Sequence, residues 1–242
     1  MKGHDIAVIA ENEAFPGSSP AQGIKRVSAS QQIHHALRER IISLDLAPGQ
    51  HLSRSEIAQH YGVSQTPVRD AMLKLEEEGL LVIRPQSKTE VSKIDVEHAR
   101  ESQFLRLAIE VEVTRRLALC GARREIIATA RKVLALQDSA FEAGELERFA
   151  RLDRVFHQSL CEAAGVADLW QLVTARSGHI DRLRNLNLPE PGKPASILVC
   201  HHRILEGIER GDLAATEASV REHLSGTLGT VDQIRARYPE YF

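Results

Sequence analysis

A chain of 242 residues, 43% apolar and 26% charged, has the composition of an ordinary globular protein with room for one large or two modest domains. Its formal net charge of −2 excludes binding of nucleic acid through bulk positive charge, so such binding depends on individually placed side chains. No apolar run approaches the roughly 18 residues that span a membrane, and the three cysteines lack CxxC spacing, which predicts a cytoplasmic protein with reduced thiols.

The first residues predict a disordered leader followed by two helices. Residues 1–27 contain several Pro and Gly residues and no sustained hydrophobic period. A helix is predicted from about Ser30, because apolar residues recur at intervals of three and four as far as Leu44. Ala47-Pro48-Gly49 ends it, and Ser53-Arg54-Ser55-Glu56 has the pattern of a capping box at the start of a second, shorter helix.

A third helix and a pair of strands complete the N-terminal part. Ser64 is a suitable N-cap, Pro67 is tolerated in the first helical turn, and Gly79 is suited to the C-terminal end. Residues 80–83 and 89–92 predict two strands joined by a turn. The predicted order is two helices, a turn, a third helix and a two-stranded ribbon. This is the order of a winged helix-turn-helix domain, which we assign to residues 28–94.

The rest of the chain, residues 95–242, predicts helices only. The fold class is therefore mainly α, with an N-terminal winged helix-turn-helix that has a two-stranded wing and a C-terminal all-α helical bundle. Glycine and proline residues separate the predicted helices, which cover 95–119, 123–143, 145–164, 166–187, 195–209 and 212–236.

The start of the third helix carries side chains suited to reading DNA. In helix-turn-helix proteins the second helix of the motif places its N-terminal residues at base edges in the major groove. Here that stretch contains Ser64, Gln65, Thr66 and Arg69. Arginine can bond guanine and glutamine can bond adenine through two hydrogen bonds each. Such residues are also common at ordinary helix starts, and Arg69 could simply pair with a glutamate, but the wing that follows favours DNA binding.

A set of carboxylate and imidazole side chains in the C-terminal part suggests a metal site. Asp153 and His157 are four residues apart and so project from one helical face. His201 and His223 lie on later predicted helices. Together these ligand types suit a divalent ion, zinc first, with nickel, manganese and iron as alternatives. The competing interpretation is that Asp153 pairs with an arginine and the histidines are ordinary surface or core residues.

Segments of the N-terminal part resemble the GntR family of bacterial regulators. The resemblance lies in Ala47–Ser53, Glu56–Ala58, Tyr61–Ala71, Leu75 and Glu78–Leu80. It implies that operator DNA is contacted by the residues at the start of the third helix and by the wing tip, Gln86 to Lys88.

Two positions depart from the family pattern. The family often has arginine where this chain has Gln65, and glycine at the wing tip where it has Lys88. Gln65 suggests an altered operator preference, and Lys88 is expected to reach a DNA phosphate.

Residues 95–235 resemble the helical effector domain, known as FCD, of the FadR-like branch of this family. Arg106 and Glu110 match its Arg-x-x-x-Glu pattern in the first helix. The resemblance implies a metal site with four ligands, Asp153, His157, His201 and His223. It leaves the adjacent His202 one position past the ligand slot and exposed.

The resemblance also implies an effector and partners. Family members often bind small carboxylates or sugar acids, so an anion-binding cation is expected. Arg106 is the first candidate, with a structural salt bridge to Glu110 as its alternative. His179 and Arg182 are further candidates, although a solvated basic face is the favoured explanation of both, because their helix also carries Arg176 and Arg184. Family members usually form homodimers that bind inverted-repeat operators and act as repressors.

Three other functions compete with this interpretation. Asp153 and the three histidines could hold a catalytic metal, but no further carboxylate is placed by a motif as a general base. A scaffold without a ligand has no need of four metal ligands. The third alternative is a purely structural metal that stabilises the helices while no effector binds.

Overall fold

The computed structural model describes residues 28–84 and 88–242. The predicted leader, residues 1–27, and most of the predicted wing tip, including Gln86, lie outside the described residues. Over the rest, the fold class is confirmed: a small winged helix unit is followed by a larger all-helical part. None of the helices in the described ranges is both long and apolar enough to cross a membrane.

The N-terminal unit consists of three helices and three short strands. Its elements are α1 (Ala29–Ile42), β1 (His51–Leu52), α2 (Arg54–Tyr61), α3 (Gln65–Glu77), β2 (Leu81–Ile83) and β3 (Thr89–Val91). Ser28 begins α1 with a complete capping box. In the box predicted at α2, the hydroxyl of Ser53 accepts the backbone N–H of Glu56 at 3.3 Å, and Gly62 ends the helix with a left-handed φ of +63°.

The sheet has one strand more than the sequence predicts. Its antiparallel order is β1-β3-β2, with Leu81 opposite Val91 in the predicted hairpin and Leu52 opposite Thr89 on the other side of β3. Because β1 is only two residues long, no alternation of apolar and polar residues can reveal it. The strand forms one edge of the sheet and lies directly before α2 in the chain.

The C-terminal part contains nine α-helices and two short 3-10 helices among the described residues. The α-helices are α4 (Val96–Leu119), α5 (Arg123–Ile126), α6 (Ala128–Glu142), α7 (Leu146–Ala163), α8 (Ala167–Arg176), α9 (Gly178–Asn187), α10 (Lys193–Arg210), α11 (Leu213–Ser225) and α12 (Val231–Arg237). Three predicted helices, 123–143, 166–187 and 212–236, are each divided in two. At the second break, the Ser177 hydroxyl donates to the Thr174 carbonyl at 3.0 Å and competes with the helical backbone pattern.

Three hydrophobic clusters hold the molecule together. One lies inside the winged unit, where Val68, Met72 and Leu75 of α3 point inward as predicted. The second fills the helical part, where α6 packs on α7 and α10 packs on α11 and α4. The third joins residues of the linker, such as Ile94, to α9 and α12. This third cluster packs α9 against the linker, and α9 also contacts α1 of the winged unit, so α9 lies between the two units.

Candidate metal centre and nucleic-acid surface

Four side chains from three helices converge inside the C-terminal part. Asp153 and His157 lie on α7, His201 on α10 and His223 on α11, and one ligand atom from each lies within 4.8 Å of the others. The Nε2 atom of His223 is 3.0 Å from that of His157 and 3.3 Å from that of His201. Asp153 Oδ1 is 3.6 Å from His201 Nε2. The structure thus brings together all four predicted metal ligands.

The spacing of these atoms fits a metal ion. Ligands at 2.0–2.1 Å from a tetrahedral zinc are about 3.3–3.4 Å apart, close to the separations observed here. Three ring nitrogens that face one another need a proton or a cation between them, because their lone pairs repel. The buried Asp153 Oδ1 also has no hydrogen-bond partner within the described part of the chain. A cation bound among these atoms would satisfy all of them.

Neighbouring side chains orient the histidine rings. Glu110 Oε2 lies 2.6 Å from His157 Nδ1, and Gln137 Oε1 lies 2.8 Å from His201 Nδ1. These contacts leave Nε2 of each ring directed at the centre, which is the arrangement that holds histidines in metal sites. Arg106 in turn donates to Glu110 at 2.5 Å. The Arg-x-x-x-Glu pattern in the sequence therefore supports the candidate metal ligand His157 through Glu110.

The electrostatics keep the ligands in the forms that bind metals. Burial lowers the pKa of His201 to about 3 and that of His223 well below its usual range. Burial alone would raise the pKa of Asp153, but the nearby Arg184 and the histidines hold it well below the usual value. Around neutral pH Asp153 is thus a carboxylate, and His201 and His223 are neutral imidazoles.

Arg184 on α9 is a member of this site that the sequence analysis did not identify. Its guanidinium pairs with Asp153 Oδ2 and lies 3.4 Å from Asp181. The only local signal was its spacing of three residues from Asp181, which does not indicate a contact with α7. The prediction's alternative, that Asp153 pairs with an arginine, is therefore present together with the ligand cluster.

The first predicted effector residue lies beside the metal ligands. Arg106 is 2% exposed and forms the salt bridge to Glu110, so the two interpretations of this residue coexist. Its Nη2 atom is buried without a hydrogen-bond partner among the described residues, and the side chain lines a small cavity with His223. The guanidinium also lies 5.7 Å from the ring of Trp170, which stacks 6.2 Å from His157.

The other two predicted effector residues lie elsewhere. His179 and Arg182 are 3% and 0% exposed, so neither an effector cavity nor a solvated basic face describes them. Arg182 donates to the Ser92 carbonyl at 2.6 Å, and His179 accepts the backbone N–H of Asp95 at 2.9 Å. Both side chains join α9 to the end of the winged unit. The sequence suggested an anion site because it contains two residues that can carry positive charge. It does not reveal that backbone carbonyls lie beside both of them in the fold.

The predicted DNA-reading residues lie together on one exposed surface. Ser64, Gln65, Thr66 and Arg69 are all exposed at the start of α3. Ser64 is the N-cap residue as predicted, but its side chain forms no capping hydrogen bond, so its hydroxyl is available to a ligand. Arg69 has no ion pair within the described ranges, which removes the glutamate alternative there.

A groove of about 520 Å³ separates α3 from the wing. Basic side chains from both sides line it, including Arg54, Arg69, Arg84 and Lys88. Lys88 is paired with Glu90 at 2.6 Å, so any phosphate contact of Lys88 competes with that ion pair. The groove concentrates positive charge on a chain that has almost no net charge.

Two further residues lie near the candidate ligands, and one of them tests an expectation from the sequence. His202 is half exposed and lies 3.1 Å from Asp138, so its predicted position outside the ligand set is confirmed. Cys161 is fully buried, and burial raises its pKa to about 12, so it is an inert thiol and not a ligand.

Comparisons with known proteins match both parts of the chain. Residues 29–91 match the family "Bacterial regulatory proteins, gntR family", and residues 101–226 match the FCD domain. An HTH-type transcriptional regulator of Streptomyces ambofaciens is 35% identical over 88% of this chain and 89% of its own length. The transcriptional repressor RspR of Escherichia coli (strain K12) is 33% identical over 88% of this chain and 93% of its own.

Solved structures show the same fold. McbR/YncC of E. coli aligns with a TM-score of 0.72 and 18% identity, over 88% of this chain and all of the other. A transcriptional regulator GntR from Rhodococcus sp. RHA1 aligns with a TM-score of 0.70 and 19% identity over the same shares.

Proposed function

Because the chain belongs to the GntR family of bacterial regulatory proteins and carries an FCD domain, it is a DNA-binding transcriptional regulator, and we propose that a metal ion and a small organic acid in its helical part control its operator affinity. In this proposal the protein is a cytoplasmic homodimeric repressor that binds an inverted-repeat operator. Two relatives of similar length are named repressors, RspR and a probable D-xylose utilization operon repressor of Paenarthrobacter nicotinovorans.

One observation carries the sensing half of the proposal. Three histidine nitrogens and one carboxylate oxygen lie as close to one another as the ligands of a single metal ion do. The rings of His157 and His201 are each oriented by a second side chain. A divalent ion fits this set, with zinc as the first choice and nickel, manganese or iron as alternatives. Arg106, with an unpaired nitrogen in the adjacent cavity, is the proposed contact for an effector carboxylate.

Helix α9 provides a direct connection between this site and the DNA-binding unit. Arg184 contacts the metal ligand Asp153, while His179, Arg182 and Asn185 face the winged unit. Asn185 donates to the carbonyl of the last residue of α1 at 2.7 Å. A change at the ligand cluster that moves α9 thus alters how the winged unit is held, and a ligand that favours one arrangement shifts the population towards it.

A purely structural metal is the second candidate function of the site. Four protein ligands complete a tetrahedral zinc and leave no open position for an effector, as in structural zinc sites. An ion that accepts six ligands has two positions left over. The two candidates differ in whether an acid changes operator affinity once the metal is bound.

The DNA-binding assignment is tested by substitution. We expect Arg69→Ala to weaken binding to the operator upstream of its own gene by about tenfold or more, as for a lost base contact. Lys88→Ala should lower the slope of affinity against salt by about one, as for a lost phosphate contact. Fluorescence anisotropy on labelled operator measures both. Arg124→Ala, an exposed arginine on α5, is the matched control. Unchanged affinity in both variants would refute the assignment.

The metal and effector are tested on the purified full chain. Elemental analysis should find about one divalent ion per chain, and His201→Ala should lose it. His202→Ala, the adjacent exposed histidine, should retain it and is the control. Mass spectrometry of released small molecules then identifies a bound acid. If the purified protein contains no metal and chelator does not change its operator affinity, the sensing half of the proposal is contradicted.

A further inference from the structure

Two small cavities flank the side chain of Arg184 next to the metal ligands. One, of about 40 Å³, is lined by Asp153 and Asp181, and the other, of about 20 Å³, by Arg106 and His223. Both share Arg184, Lys193, Ile197 and Thr227 in their walls. The two cavities, together called the chamber below, therefore share these walls, and each touches one candidate metal ligand, Asp153 or His223.

Two cations in the walls of this chamber have a nitrogen atom without a hydrogen-bond or ion-pair partner among the described residues. Lys193, at the start of α10, is half-buried, and its ammonium forms no ion pair within residues 28–84 and 88–242. Burial and then the charge of Arg184 lower its pKa, and these effects outweigh the smaller raising effects of Cys200 and Asp153. On the opposite side, the Nη2 atom of Arg106 is buried and unpaired. Both groups face space in which an anion would satisfy them.

The charge balance of the chamber indicates how much negative charge a ligand brings. Arg154, at the rim, is already paired with Glu39. The remaining charged side chains in the walls are three cations, Arg106, Arg184 and Lys193, and two carboxylates, Asp153 and Asp181. Glu110, which lines neither cavity, pairs with Arg106 and makes the numbers equal. A divalent metal ion at the ligand cluster adds two positive charges that nothing in these walls balances. Buried charge without compensation is costly, so a ligand with two negative charges is favoured over one with a single charge.

We propose that Lys193 and Arg184 form an anion subsite beside the metal centre, and that the effector is a compact acid with two carboxylates. One carboxylate lies near Arg106 and the metal ligands, and the other is bound by Lys193 and by Arg184 once Arg184 turns from Asp153. This inference rests on the proposed effector function and adds to it the second binding group and the charge of the ligand.

The size of the chamber limits the acid. A single water needs about 10–15 Å³ of such space, so the two cavities hold only a few waters as they stand. Movement of the Arg184 side chain joins them, and the joined space suits an acid of three or four carbons and not a long-chain or aromatic one. Malonate and succinate are suitable probes, and propionate and butyrate are their singly charged counterparts.

The experiment uses the zinc-loaded full chain and two readouts. Trp170 is the single tryptophan and lies against both Arg106 and His157, so its fluorescence reports ligands near the metal centre. Calorimetry gives the affinities. We expect malonate or succinate to bind at least tenfold more tightly than propionate or butyrate. Lys193→Gln should abolish this preference, and Lys193→Arg should restore most of it. Lys132→Gln, an exposed lysine on α6, should not change it.

The outcomes separate the subsite from the effector function itself. If acids of one and two charges bind equally well, and Lys193→Gln changes neither affinity, the subsite is refuted while effector binding stands. If no acid of either class produces heat or a fluorescence change with metal-loaded protein, effector binding itself is refuted, and this inference with it. Circular dichroism and metal content of each variant establish that a lost preference is not a lost fold.

Discussion

His179 is buried at the junction of the two units, and its hydrogen bonds require it to be neutral. Its Nδ1 atom accepts the backbone N–H of Asp95 at 2.9 Å and lies 2.9 Å from a donor nitrogen of Arg182. Its Nε2 atom faces the Gly79 carbonyl at 3.1 Å, which assigns the single proton to Nε2. Burial, reinforced by the charges of Arg182 and His98, lowers the pKa of His179 from 6.5 to about 3.

This shift predicts an acid-sensitive junction. In the unfolded chain His179 takes up a proton as the pH falls below about 6.5, whereas in the folded chain it does so only near pH 3. The stabilisation is therefore complete above pH 6.5 and is lost progressively as the pH falls through that window. At about 1.4 kcal/mol per pH unit, the loss from this residue between pH 6.5 and 5 is about 2 kcal/mol.

Urea unfolding at pH 7 and pH 5 measures the effect, with chelator present throughout so that metal binding does not contribute. His179→Asn removes the titrating ring and keeps an oxygen near the position of Nδ1, so it should lose about 2 kcal/mol less than the wild type on acidification. The candidate metal ligands are the same in both proteins, so any contribution from them cancels in the difference. His35→Asn, at an exposed position on α1, is the control. Equal losses in His179→Asn and the wild type would refute this reasoning.

Three further predictions concern the metal and the packing of α9. Gln137→Leu removes the partner of His201 Nδ1 and should weaken metal binding about 10–100-fold in competition with a chelator, without abolishing it. Metal removal should lower the midpoint of thermal unfolding, because a free ion concentration 100 times its dissociation constant contributes about 2.7 kcal/mol. Gly178→Ala places a Cβ 2.6 Å from the buried Leu80 and should cost about 1–3 kcal/mol in urea unfolding, whereas Gly121→Ala, which meets open space, should not.

The parts of the fold that depend on neighbouring residues in the chain follow from the sequence. The inward face of α3, the N-cap position at Ser64 and the wing hairpin are set by spacing, capping chemistry and turn residues within a few positions. Asp153 and His157 share a helical face for the same reason. Their link to His201 and His223 came from family resemblance, because spacing alone cannot bring three separate helices together.

Other features were decided only when the elements packed. The strand β1 exists because β3 offers it a partner, and the break at Ser177 depends on a hydroxyl bonding back to the helix. His179 and Arg182 are side chains of the kind that bind anions, but here they bond to backbone groups far away in the chain. Arg182, for example, donates to the carbonyl of Lys93, which is 89 positions away. Packing placed those two residues where α9 meets the winged unit, and it placed Arg184 beside the candidate metal ligand Asp153. The sequence by itself determined which chemical groups the chain carries and which helical face each occupies. The tertiary structure decided which of these groups meet. Hydrogen bonds and ion pairs depend on distances in space, and separation along the chain does not set those distances.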